Sequence, residues 1–102
     1  MIYIVSEVTT APGAREQVLT HFQDLVPKVL AEDGCIEYVA TCDAEDAPRF
    51  QKVNGADRYL VLERWTDMTA FRAHVKAAHM ADFAARTSGL IVERAVSILR
   101  RT

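Results

Sequence analysis

The span from Tyr59 to Phe83 gathers the chain's single tryptophan, two of its three histidines and a carboxylate where a strand pattern gives way to a helical one. In Tyr59-Leu60-Val61-Leu62-Glu63-Arg64-Trp65, period-two alternation puts Tyr59, Val61, Glu63 and Trp65 on one face and Leu60, Leu62 and Arg64 on the other. Counting about 100° per residue from Phe71, Val75 and Ala78 fall within ~40°, His74 about 60° to one side and His79 about 80° to the other. Both imidazoles therefore flank the apolar face, where histidine's titration near neutral pH suits it to moving protons. The competing reading for each is a hydrogen-bonded residue at the rim of the core, and for Trp65 plain core packing. Five residues apart, His74 and His79 diverge by about 140° on a regular helix, so no metal pair is expected.

The elements that must position these residues follow from the same periodicities. Ile2 to Thr10 is a strand with apolar residues on both parities, expected to be buried on both faces. Ala11-Pro12-Gly13 breaks it, and a helix from about Ala14 presents Val18, Phe22, Leu25, Val26 and Val29, with His21 beside that stripe. Pro27 predicts a kink or a distorted last turn, and Gly34 supplies the left-handed residue that ends the helix. Cys35 to about Asp43 forms a second strand, with Ile36, Tyr38 and Ala40 on one side. Asn54-Gly55 predicts a small hairpin leading into the Tyr59 strand. Thr66 or Asp67 caps the next helical region, which runs to Thr87 as two segments joined irregularly near His79 and Met80. Leu90 to Arg100 is the last strand, with Leu90, Val92, Val96 and Ile98 on one face.

The order βαββαβ predicts a single α+β domain of ferredoxin-like type, a four-stranded antiparallel sheet with both helical regions on one face. The helix-free face keeps enough apolar side chains to require a cover, and a second copy packed sheet to sheet, a homodimer, provides one.

The 102 residues are half hydrophobic and one quarter charged, with a formal net charge of -2. Interspersed charges argue against nucleic acid or an anionic membrane as partner, and the arginines at 94, 100 and 101 read as a solvated strand end. No apolar run approaches the ~20 residues of a membrane span, and Met1 leads directly into a strand, so a cytoplasmic location is expected. Cys35 and Cys42 stand about 23 Å apart along one strand, too far to bridge. Glycine occurs only at 13, 34, 55 and 89, leaving no dinucleotide fingerprint or phosphate loop. Hydrolase and zinc-protease motifs are missing too, so catalysis here must need little more than a pocket, a base and hydrogen-bond donors.

The runs Gly34-Cys35-Ile36-Glu37-Tyr38, Glu63-Arg64-Trp65, Ala70-Phe71-Arg72-Ala73-His74 and Ala78-His79-Met80 resemble the antibiotic biosynthesis monooxygenase family of dimeric α/β-barrels, particularly its quinol monooxygenase-like members. The similarity spans nearly the whole chain, with a longer loop at 44 to 57. It implies a cofactor-free oxygenase acting on a small aromatic phenol or quinol with molecular oxygen, in a pocket between sheet and helices. His74 is then the base or anion-stabilising donor, Trp65 and Tyr38 its catalytic companions, and Phe83, Phe71, His79 and Glu63 the substrate-binding surroundings. Haem-degrading relatives pair an asparagine on the first strand with a tryptophan and a helical histidine; here that strand offers Ser6 and Glu7, which points away from haem. Two alternatives from other classes are a non-catalytic dimer that binds a small ligand and an isomerase of a small oxygenated metabolite.

Overall fold

The computed structural model describes residues 1–102. Its elements are β1 (Ile2–Thr10), α1 (Arg15–Leu30), β2 (Cys35–Thr41), β3 (Arg58–Trp65), α2 (Met68–Val75), α3 (Ala78–Arg86) and β4 (Ile91–Leu99). All strand pairs are antiparallel in the order β2-β3-β1-β4, the ferredoxin-like α+β sheet expected from two strand-helix-strand halves. No helix is long and apolar enough to cross a membrane.

Alternation decides which face is covered. Ile4, Ser6, Val8 and Thr10 of β1 and Tyr59, Val61, Glu63 and Trp65 of β3 are all buried beneath the helices. The expectation that β1 is buried on both faces is corrected: Tyr3, Val5, Glu7 and Thr9 are only half-buried in the single chain. From α1, Val18, Phe22, Leu25 and Val29 point into the core. Phe22 is the hub: its ring stacks on Tyr38 at 5.2 Å and meets Tyr59 at 5.9 Å and Phe83 at 6.2 Å edge-on. Each such burial contributes roughly 1.5–3 kcal/mol, and the aromatic geometry adds about 0.5–1.5 kcal/mol per pair.

Two local expectations are also corrected. The segment 42 to 57 forms no hairpin strand; instead the Asp43 carboxylate accepts from Asn54 N at 2.9 Å, Asn54 Nδ2 at 2.9 Å and Gly55 N at 3.0 Å. Those donors, the Gly55 amide foremost, hold the Asp43 carboxyl below its ordinary range. In β2 a bulge sets Cys35 opposite Trp65 and Glu37 opposite Arg64, leaving Ile36 as the extra residue. The slip brings Cys35 to the face shared by Tyr38 and turns Ile36 outward. α1 runs through Pro27 to Leu30, with the donor after the missing one, Ala31 N, bonded to Pro27 O at 3.2 Å.

Gly34 locks the end of α1 to the start of α2. Its φ of 82° is left-handed, and its carbonyl accepts from Thr66 N at 2.9 Å. A Cβ there would lie 2.6 Å from both Ala70 Cβ and Thr66 Oγ1, whereas one at Gly13, with φ of 75°, would meet nothing within 4 Å. Gly34→Ala should therefore cost about 2 kcal/mol or more, conformational strain plus overpacking, against about 1 kcal/mol for Gly13→Ala. Urea unfolding midpoints at unchanged slope measure the difference, and equal losses at the two sites would contradict this account of Gly34.

Candidate functional site

Two helical regions do not cover four strands. Arg94, Val96 and Ile98 of β4 lie opposite Val8, Ser6 and Ile4 of β1 and so belong to the helix side of the sheet, yet Val96 and Ile98 stay about half exposed, at 48% and 50%. The uncovered strip becomes one wall of a cavity of about 470 Å³, a size suited to a small aromatic molecule. Phe71, His74 and Phe83 line it from the helices, and Ser6, Tyr38, Tyr59, Glu63 and Arg94 bring polar groups from the sheet.

Glu63 is the polar centre of that cavity. One carboxyl oxygen, Oε1, accepts from Trp65 Nε1 at 3.0 Å and lies 3.8 Å from His74 Nε2. Burial pushes its carboxyl above the ordinary range, partly offset by the Trp65 hydrogen bond and by His74. Burial likewise raises the Tyr38 phenol, with the Glu63 charge adding to the shift, and raises Tyr59 to about 12. Both phenols therefore stay protonated at neutral pH and can donate.

His74 is held on its other side by Glu32, the residue after the Ala31 cap of α1. Glu32 Oε2 lies 2.8 Å from His74 Nδ1 and 2.8 Å from His79 Nε2. The divergence expected of the two histidines is thereby overturned: α2 ends at Val75, Ala77 is extended with φ -66° and ψ 142°, and α3 starts afresh at Ala78. The break falls earlier than the expected join near His79, and its effect is to turn His79 back toward His74. A carboxylate oxygen only accepts, so with Glu32 ionised both imidazoles donate to it and neutral His74 presents a bare Nε2 to Glu63. Two acceptors would then face each other across 3.8 Å unless one proton resides on His74 Nε2 or on Glu63.

The same three ligand atoms lie within 4.8 Å of one another, a donor set that divalent metals use. The spacing is that of hydrogen bonds rather than a metal shell. Ligands about 2.0–2.1 Å from a tetrahedral ion stand roughly 3.3 Å apart with lone pairs aimed at an empty centre, whereas here both N···O separations are 2.8 Å.

Of the residues expected at the site, His74, Tyr38, Glu63, Phe71 and Phe83 reach the cavity, and Trp65 and His79 do not. Trp65 is fully buried behind Glu63, its ring 4.7 Å from the His74 ring, which it supports. His79 lies beyond Glu32, in a polar groove between α1 and α3. Val75, expected on the inward stripe, is 60% exposed, and His74 takes the inward position at 3%. The site also holds residues that the sequence reading passed over. Arg94, read as part of a solvated strand end, lines the cavity, and the signal for it was a charge on an otherwise apolar parity, Val96 and Ile98 being its neighbours on that face. For Glu32 the signal was an acidic residue at a helix C-terminus, where the helix dipole disfavours it.

Because the folded state holds the Glu63 proton above the ordinary glutamate range, it binds more protons than the unfolded chain, and stability falls as pH rises through that window. Glu63→Gln, which keeps an acceptor for Trp65 and removes the buried charge, should flatten that fall and melt higher than the wild type at neutral pH. Melting curves from about pH 4 to about pH 8 check it, and a variant as pH-sensitive as the wild type in that window would refute the assignment.

A family model described as "Antibiotic biosynthesis monooxygenase" matches residues 1–86. The chain is 30% identical over 102 residues to the "Probable quinol monooxygenase YgiN" of Escherichia coli (strain K12), covering 98% of this chain and 97% of that one. Among solved structures, PA3566 from Pseudomonas aeruginosa superposes with a TM-score of 0.81 at 24% identity, covering 99% of this chain and 93% of that one. Rv0793 from Mycobacterium tuberculosis superposes with a TM-score of 0.80 at 20% identity, covering 99% and 94%. At these identities the two structures speak for the fold alone, while the family model and the enterobacterial relative speak for kinship. The chain belongs to the antibiotic biosynthesis monooxygenase family.

Proposed function

We propose that this protein is a cofactor-independent monooxygenase that oxidises a small electron-rich phenol or quinol with molecular oxygen in the cavity between β1, β4, α2 and α3. The observation that carries this reading is the largely apolar cavity of about 470 Å³ with a buried carboxyl and an imidazole converging in it. The quinol named in the description of the Escherichia coli relative supports the substrate class.

The reaction is balanced without an added reductant. A quinol with a free ring position and one molecule of oxygen give a hydroxyquinone and water, all four electrons coming from the quinol. The protein's part is to remove the phenolic proton, hold the anion and keep bulk water away. The Glu63–His74 pair takes the proton, Tyr38 donates to the phenolate oxygen, and the Arg94 guanidinium supplies positive charge at the cavity wall. Phe71 and Phe83 form apolar sides, and Trp65 fixes the Glu63 carboxyl and backs the imidazole. No flavin, haem or metal is required by this scheme.

A homodimer belongs to the same proposal. Tyr3, Val5, Val39, Leu60, Leu62 and Leu99 leave an apolar helix-free face, with Val39, Leu62 and Leu99 at 39%, 37% and 47% exposure. A second copy covers it and leaves both cavities open on the opposite side of each sheet. Sedimentation at micromolar concentration should show twice the 11.4 kDa chain mass, and a stable monomer would remove this part of the proposal.

Oxygen uptake with a panel of naphthoquinols, anthrones and hydroxyketones tests the reaction. One oxygen consumed per quinol is expected. Turnover that persists without oxygen would indicate an isomerase, and binding with no turnover a ligand carrier. His74→Ala should fold normally and lose about 10²-fold or more in turnover, the usual scale for general acid-base catalysis. Unchanged turnover with a lowered melting temperature would make His74 structural.

A further inference from the structure

We propose that Glu32 and His79 form the outer half of a proton relay joining the Glu63–His74 pair in the cavity to the polar groove between α1 and α3. The proposal rests on the oxygenase reading for its substrate but not for its geometry. Four groups stand in sequence: Glu63 Oε1 is 3.8 Å from His74 Nε2, His74 Nδ1 is 2.8 Å from Glu32 Oε2, and Glu32 Oε2 is 2.8 Å from His79 Nε2. Exposure of the last three side chains rises along the series, 3% at His74, 14% at Glu32 and 21% at His79. His79 then lines a groove of about 240 Å³ shared with His21, Asp24, Lys28, Asp82 and Arg86, a polar lining open to solvent.

Two features make this more than a satisfied cluster. The α2–α3 break occurs in Val75-Lys76-Ala77-Ala78, which contains neither glycine nor proline, so its cause is not local. Its structural result is that His79 reaches the oxygen already used by His74. Glu32, placed against the polarity of α1, is held there by those two imidazoles. The remaining gap, 3.8 Å, is too short for an interposed water and closes by rotation of the Glu63 carboxyl when substrate displaces it.

The proton count closes. With the shared proton resting on Glu63, Glu63 passes it to His74 Nε2 and takes the phenol's proton in its place, while His74 releases its Nδ1 proton to Glu32, which exchanges it with the groove beside His79. When the reduced oxygen leaves as water the transfers run in reverse and restore the His74 tautomer. The groups that face this path from the packed elements are Cys35 and Tyr38 of β2, Trp65 of β3 and Arg94 of β4. Burial raises Cys35 to about 11 and raises Tyr38 as well, so neither competes for the proton.

Glu32→Gln preserves the shape and cannot take a proton, and Glu32→Asp keeps the carboxylate but withdraws it. Both are compared with wild type in a pH jump with bound 4-nitrophenol, whose anion is coloured. The relay predicts that ionisation of the bound phenol slows about 10-fold or more in Glu32→Gln with its amplitude retained, with added formate or imidazole restoring part of the rate. In turnover, kcat should fall with KM nearly constant, and the solvent deuterium isotope effect should rise. His79→Ala should slow both less, since Glu32 is itself partly exposed. Relaxation in Glu32→Asp should fall between wild type and Glu32→Gln; wild-type relaxation in folded Glu32→Gln overturns the relay, as does a stoichiometric zinc ion lost on Glu32→Gln. Slowed relaxation with no oxygen uptake on any phenol leaves the relay standing and removes the oxygenase reading alone.

Discussion

One carboxylate oxygen, Glu32 Oε2, accepts from two imidazoles that a continuous helix would hold apart. Much of the site's form depends on that contact. It requires α1 to end where it does, which Gly34 secures by adopting a left-handed conformation and fitting its bare Cα against Thr66 and Ala70. It also requires the helical region after β3 to break at Lys76–Ala77, so that His79 approaches from α3 while His74 descends from α2. Hydrogen bonds to a charged group contribute about 1.5–3 kcal/mol each, enough to offset the backbone bonds lost at the break. The contact thus trades helix continuity for a fixed imidazole.

The cavity has a different origin, in the mismatch between a four-stranded sheet and the width that two helical layers can cover. Phe22 fills the space under β2 and β3 by touching Tyr38, Tyr59 and Phe83 at once. Under β4 no equivalent side chain exists, and the strip from Arg94 to Ile98 stays open. An open gap between apolar walls is costly for an isolated fold, and it is the form that small-molecule sites take. The polar residues in that gap sit on parities that are otherwise apolar: Ser6 among Ile4 and Val8, Glu63 among Val61 and Trp65, Arg94 beside Val96.

That pattern explains how much was legible in the residues. Period-two alternation sorted β3 correctly, and the interruptions of the apolar parity at Ser6, Glu63 and Arg94 mark the cavity's polar groups. Asp67 caps α2 as expected, its carboxylate accepting from Ala70 N at 2.8 Å. What periodicity could not convey was any departure from regular geometry. A bulge at Ile36 shifts which β2 residues face inward, and a break without a breaker residue turns two divergent histidines into neighbours. Asn54-Gly55 carries a hairpin signal, but Asp43 captures its amides from eleven and twelve residues away and holds the segment as an irregular loop. In each instance a long-range partner overrode a local preference, and single-sequence periodicity registers only the latter.

The placement of Glu63 shows how the site's stability and its chemistry are linked. A carboxyl taken out of water opposes its own ionisation, and at neutral pH that opposition is a cost to the folded state. Trp65 Nε1 and His74 reduce the cost without removing it, because one supplies a single neutral donor and the other stands 3.8 Å away. In the proposed reaction that residual cost favours proton uptake by Glu63: a carboxylate fully compensated by close cations would hold its negative charge too well to accept a proton from a phenol. With the compensating imidazole bound at its far nitrogen to Glu32, the inner carboxyl keeps its raised proton affinity, and the series of groups runs toward the surface with one gap, the 3.8 Å between Glu63 and His74.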